Sequence, residues 1–129
     1  MSRDHSELTE AEIDFLTERH LGTLTTLRSD GSPHVVAIAF TYERDTGSVS
    51  IISSDRTQKV KNVEGAGRAV VCQVDGRRWL ALEGSALVDR TPEGVGAAVA
   101  AFEGRYRPAR ENPSRVAIEI NVDRILGSA

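Results

Sequence analysis

From Gly22 onward the chain sets short apolar runs between turn signals so closely spaced that a β-rich fold is the only economical reading. The clearest run is SRVAIEINVDRIL (114–126), where Val116, Ile118, Ile120 and Val122 recur two apart. That period is the mark of a strand with one buried face. GTLTTL (22–27) reads as a strand closed by the turn SDGSP (29–33). HVVAIAFTY (34–42) reads as a second strand, apolar almost throughout and so expected to be covered on both faces. The loop ERDTGS (43–48) returns the chain into VSIIS (49–53). RAVVCQV (68–74) and RWLALEGSALVD (78–89) flank the turn DGR, and Gly84 inside the second marks a bulge or a close backbone approach. Six strands joined by short turns predict a small antiparallel β-barrel, because closure removes exposed edges.

Three helical segments decorate this pattern. Thr9 and Glu12 form a T-x-x-E capping box, with Leu8 placed to staple onto Ile13. The helix they start should carry Ile13, Leu16 and His20 on one face and stop near Gly22. TQKVKNVE (57–64) lacks strand alternation and spaces Val60 and Val63 as a short helix would, with GAG ending it. TPEGVGAAVAAFEGRY (91–106) has Thr91 as cap and Pro92 in the first turn. RPARENP (107–113) is a loop, and residues 1–8 read as a flexible tail on a single domain spanning 1–129.

Bulk composition excludes several function classes. A net charge of −3 gives no footprint for nucleic acid, and no apolar run is long enough for a membrane span. Cys72 is the single cysteine, so a disulfide, a redox pair or a cysteine-based zinc site cannot be built, and a buried structural thiol is expected. The acidic, polar N-terminal segment is no signal peptide, and a cytoplasmic location is the expectation. None of His5, His20 and His34 sits in a nucleophile or metal motif, so neither a catalytic side chain nor a metal is expected. Glu83, among apolar neighbours, is expected to point outward or into an ion pair.

The stretch SSDRTQKVKN (53–62) holds both lysines of the chain, Lys59 and Lys61. Ser53, Ser54 and Thr57 offer hydroxyls, and a helix start offers free N–H groups with partial positive charge. Lys61 lies about 200° from Lys59 around a helix, so the two should not grip one phosphate. Asp55 is a natural N-cap whose charge would repel an anion. On these residues alone, a phosphate site and a solvated helix start both remain open.

TLRSDGSPHVVAIAFTY, VSIISSDRTQKVKNV and RAVVCQVDGRRWLALEGSA, in that order, resemble three blocks of the pyridoxamine-phosphate-oxidase-like split β-barrel superfamily. Within it, FLTERHLGTLTTLRSDGSPHVVAIAFTY, VVCQVDGRRWLALEG and RILGSA are most similar to the flavin/deazaflavin-dependent oxidoreductases, in particular to biliverdin reductases that use coenzyme F420. The resemblance implies a homodimer with two cofactor sites at its interface. It implies that Val36, Ala37 and Ile38 lie along the ring of the cofactor, and that Ile52 and Ser53 touch ring or side chain, with Ser54 beside them. Gln58 and Lys59 match an Arg-Lys phosphate pair, and Trp79 matches a residue that reaches the ring from the partner. Arg56, Thr57 and Lys61 become candidates for the acidic tail, and Arg77 and Arg78 for carboxylates of substrate or tail.

Two departures bear on the cofactor: Val36 stands where FMN-dependent oxidases carry arginine, and Gln58 replaces the first cation of the pair. Fewer cations weaken an FMN reading and suit F420, by resemblance to the subgroup. The expected function is hydride transfer from reduced F420 to a conjugated small molecule such as biliverdin. The rival readings are an FMN-dependent oxidase of a pyridoxine-type phosphate and a non-catalytic F420-binding barrel.

Overall fold

A computed structural model describes residues 3–129. Helix α1 (Glu10–Thr17) precedes strands β1 (Gly22–Leu27), β2 (Pro33–Ile38), β3 (Thr41–Glu43) and β4 (Ser48–Ser54). Helix α2 (Gln58–Ala66), strands β5 (Arg68–Asp75) and β6 (Arg78–Asp89), helix α3 (Pro92–Arg105) and strand β7 (Arg115–Ser128) complete the chain. The strands form one antiparallel sheet in the order β2-β1-β5-β6-β7-β4-β3.

Among the described residues there are seven strands, not six, because 34–42 is divided at Ala39–Phe40. Its two halves stand at opposite edges of the sheet, so two residues must span both edges and the sheet has to curl into a barrel. The corner is held by α3 rather than by a ladder. Tyr106 Oη accepts from the Phe40 N–H at 3.2 Å, and Arg105 Nη1 donates to the Phe40 carbonyl at 2.5 Å. The Arg105 guanidinium also lies 4.6 Å from the Phe40 ring centroid.

Strand alternation directs Leu24, Val71, Leu82, Ile118 and Ile120 inward, all fully buried. Phe15 and Leu16 of α1 and Val60 and Val63 of α2 join the same core. Gln73 is a buried polar exception whose amide is satisfied, donating to the Phe15 carbonyl at 2.8 Å and accepting from Arg105 at 2.7 Å. Helix α1 ends at Thr17, short of His20, which lies in the connector.

The second strand is not covered on both faces: Val35 is 59% exposed and Ala37 is exposed. Cys72 lies half-buried on the same outer face, with burial pushing its thiol pKa up. Glu83 does form an ion pair, with Arg68 at 3.1 Å. Gly84 sits at a register shift between β6 and β7, as its position implied.

Residues 3–8 are tied to the barrel rather than loose; residues 1 and 2 of the expected tail lie outside the described residues. Arg3 bridges to Ile125 through backbone bonds of 2.9 and 2.7 Å. Its guanidinium grips Glu12 bidentately, both bonds 2.8 Å, and donates to the Gly127 carbonyl at 2.7 Å. Glu12 also closes the capping box of α1 on Thr9. Its side chain is 2% exposed, and the Arg3 hydrogen bond leads the effects that hold its pKa at about 2. A carboxylate pKa lowered by folding contributes stability that is complete above the unfolded value and lost as pH falls through the folded one. We therefore expect unfolding between about pH 5 and pH 2 with a contribution on the order of 3 kcal/mol from this group. Acid titration of Glu12→Gln followed by circular dichroism should lack that component; an unchanged acid profile would refute it.

Candidate cofactor site

Beyond the Phe40 corner the barrel does not close. Strand β3 pairs with β4 only from Ser48 to Ser50, leaving Ile51–Ser54 without a neighbour on that edge. Strand β2 bonds only to β1, so its outer edge is also open. These two edges diverge from one corner and form the split. Unpaired N–H and C=O groups on both sides are a ready template for a polar heterocycle. Val36, Ala37 and Ile38 lie along one edge, Ile52, Ser53 and Ser54 along the other.

The turn leaving β4 delivers α2 to the same end of the barrel. Arg56, the one non-glycine residue with positive φ among the described residues (67°), makes the bend. Asp55 is not the N-cap: its Oδ1 accepts from the Arg56 N–H and from Arg90, each at 2.9 Å. The Arg90 bond leads the effects that hold its carboxyl pKa below the ordinary value. The charge expected to repel an anion is thus neutralised to one side. The cap position falls to Thr57, which makes no capping bond and instead lies 3.2 Å from the Ser53 hydroxyl. The first-turn N–H groups of α2 are left without a side-chain acceptor.

Lys59, one residue into that turn, is partly buried, and burial pushes its ammonium pKa down. Among the described residues it makes no salt bridge or side-chain hydrogen bond. A half-desolvated cation without a partner beside uncapped N–H groups fits a phosphate better than it fits a solvated helix start.

The remaining candidates divide around α2. Gln58 donates to Asn62 at 2.7 Å, and Asn62 to the buried Thr26 hydroxyl at 3.0 Å. Gln58, Asn62 and Lys61 line a groove of about 470 Å³ with Leu27, Arg28 and Ser29. Lys59 is absent from it, as their helical separation requires. Arg56 and Lys61 are exposed. Arg78 is engaged elsewhere: it pairs with Glu18 at 2.8 Å and with Asp75, and lies 4.6 Å from the Phe15 ring. These bonds tie α1 to the β5–β6 turn and leave it poorly suited to a ligand, while Arg77 is exposed on that turn.

Trp79 is 40% exposed on the outer face of the sheet, its indole occupying the space a side chain at Gly127 would need. The cross-strand row Ala37–Thr23–Cys72–Ala81–Leu126 and the pair Val74–Trp79 make that face broadly apolar. Trp79 is therefore directed away from the core of its own chain.

His34 was not singled out by motif, yet strand alternation puts it on the same side of β2 as Val36. Its Nδ1 is buried and unpartnered among the described residues. Its spacing from Val36 was the available signal.

The pyridoxamine 5'-phosphate oxidase model matches residues 8–128. The chain is 47% identical over 124 residues to a F420H(2)-dependent biliverdin reductase of Mycobacterium tuberculosis (strain CDC 1551 / Oshkosh), covering 96% of this chain and 90% of that one. A conserved hypothetical protein of Mycobacterium tuberculosis superposes with a TM-score of 0.79 at 25% identity, over 92% of this chain and 82% of that one. A solved structure of an F420 reductase superposes with a TM-score of 0.75 at 22% identity, over 92% of this chain and 98% of that one, a likeness of fold. A split barrel with this order of strands, matched over nearly its whole length, places the chain in the pyridoxamine 5'-phosphate oxidase family.

Proposed function

We propose that this protein is a reductase that binds reduced coenzyme F420 in the split and delivers its hydride to biliverdin or a closely similar conjugated acceptor. The observation that carries the reading is Lys59, a half-buried cation without a partner at an uncapped helix start. The 47% identical relative, a F420H(2)-dependent biliverdin reductase, names the cofactor and acceptor that fit it.

In this reading Lys59, the α2 N–H groups and the hydroxyls of Ser53 and Thr57 hold the phosphate. The open edges of Val36–Ile38 and Ile52–Ser54 orient the ring. When bound, the reduced cofactor supplies the hydride. The protein's part is alignment and exclusion of bulk water, with the one proton that balances the hydride taken from solvent or a nearby acid. That division of labour asks for no catalytic side chain. A second copy of the chain covers the outer apolar face, which carries Val35, Val74, Trp79 and Leu126 at 40–59% exposure. It would bring Trp79 over the partner's split.

Gln58 leaves one cation at the helix start where an FMN clamp would have two, and the 47% identical relative uses F420, so F420 should bind more tightly than FMN. Mixing the protein with reduced F420 and biliverdin should oxidise the cofactor far faster than the protein-free control. The same protein should sediment at roughly twice its 14.0 kDa chain mass. Oxidation no faster than the control would sink the reductase reading, and a monomer would remove Trp79 from the site.

A further inference from the structure

Half of the arginines of this chain are accounted for. Arg3, Arg44, Arg68, Arg78 and Arg90 pair with carboxylates, Arg124 lies 3.9 Å from Glu83, and Arg105 is spent on the Phe40 corner. Among the other half, Arg107, Arg110 and Arg115 come together in space. They line one cavity of about 300 Å³, with Ile52 and Phe102 among its apolar walls. Among the described residues none of the three has a carboxylate within salt-bridge distance. The acids nearest in sequence do not neutralise them: Glu103 accepts from the Ala109 N–H at 2.8 Å, and Glu111 makes no ion pair.

The cavity is also braced. The Arg107 guanidinium lies 5.4 Å from the Phe102 ring centroid, and Arg115 donates to the Arg110 carbonyl at 2.8 Å. The loop carrying Arg107 and Arg110 is pinned to the end of β4, with Asn112 donating to the Ser54 hydroxyl at 2.9 Å and Asp55 N–H to the Ser114 carbonyl at 2.9 Å. Arg107 and Arg110 are exposed and Arg115 half-buried; like charges around one cavity favour an anion among them, and guanidinium forks match carboxylates. Ile52 ties the cavity to the β4 edge of the split.

We propose that Arg107, Arg110 and Arg115 form a carboxylate-binding subsite beside the split, taking acidic groups of the bound cofactor's tail or of the acceptor. The subsite rests on the F420-reductase reading for its ligand, not for its geometry. The test variant is Arg107→Gln/Arg110→Gln, with Arg44→Gln as a charge control on a distant pair with Glu10.

If the tail is the ligand, the double variant should raise the Kd for F420 by about tenfold or more and leave that of the tail-less deazaflavin unchanged. If the acceptor is the ligand, the KM for biliverdin should rise by a similar factor and that for its dimethyl ester should not. With F420 binding intact, neither change beyond the Arg44→Gln control overturns the proposal. If the wild type binds no F420, the reductase reading fails on its own. Titration with γ-linked triglutamate then decides: movement of the three arginine side-chain NMR signals, lost in the double variant, upholds the subsite, and no movement overturns it.

Discussion

Lys59→Ala is expected to raise the Kd for F420 by about 10- to 100-fold, the size of a charge-assisted hydrogen bond to an anion. Stability should not suffer, since among the described residues Lys59 has no partner to lose and its burial disfavours the charged form. Its pKa is lowered by folding, so the charge contributes no stability below that value; relief of its desolvation should leave the variant at least as stable. For the same reason wild-type affinity should decline in alkali, as pH rises through a lysine value set below the ordinary one. Lys59→Arg should retain much of the affinity. Fluorescence titration of variants against F420 and FMN measures all of this, and an unchanged Kd for Lys59→Ala would take the residue out of the site.

Gly84→Ala should be the most damaging single methyl in the barrel. A Cβ there would lie 1.8 Å from the Asn121 carbonyl oxygen and 2.9 Å from the Val122 Cα, backbone atoms that cannot turn aside. The clash falls where β6 and β7 shift register, so relief would mean parting the two longest strands. A loss of about 4 kcal/mol, or failure to accumulate folded protein, is expected. The contrast is Gly96→Ala in α3, where nothing stands within 4 Å of the added carbon. That change should stabilise by about 0.5–1 kcal/mol through helix propensity and unfolded-state entropy. Urea unfolding of the pair checks both; equal midpoints would contradict the packing argument.

Features written into neighbouring residues were legible in the sequence. The Thr9–Glu12 box, the alternation from Val116 to Val122 and the special place of Gly84 depend on spacing along a few residues. What escaped depends on distant partners. Ala39–Phe40 looks like continuous strand, and the break is made by Arg105 and Tyr106. Asp55 has the form of a cap, but Arg90 draws its carboxylate away. The outward face of Val35 and Ala37 is set by the pairing of β2 with β1 at the edge of the sheet, not by anything beside them in sequence. Arg107 and Arg110 read as loop charges, and Arg115 as the start of a strand, until β4 and α3 bring them around one cavity.

The Phe40 corner also sets the order of events during folding. Its closing bonds join residues 65 and 66 positions apart, so they cannot form until α3 has been synthesised and docked. Until then nothing holds the β2 and β3 edges at one corner, and the uncurled sheet presents both to other chains. Such late closure is slow, since the long loop must be ordered before its contacts reward it. Arg105 and Tyr106 thus act as a latch whose timing sets when the sheet curls and its two edges meet at one corner.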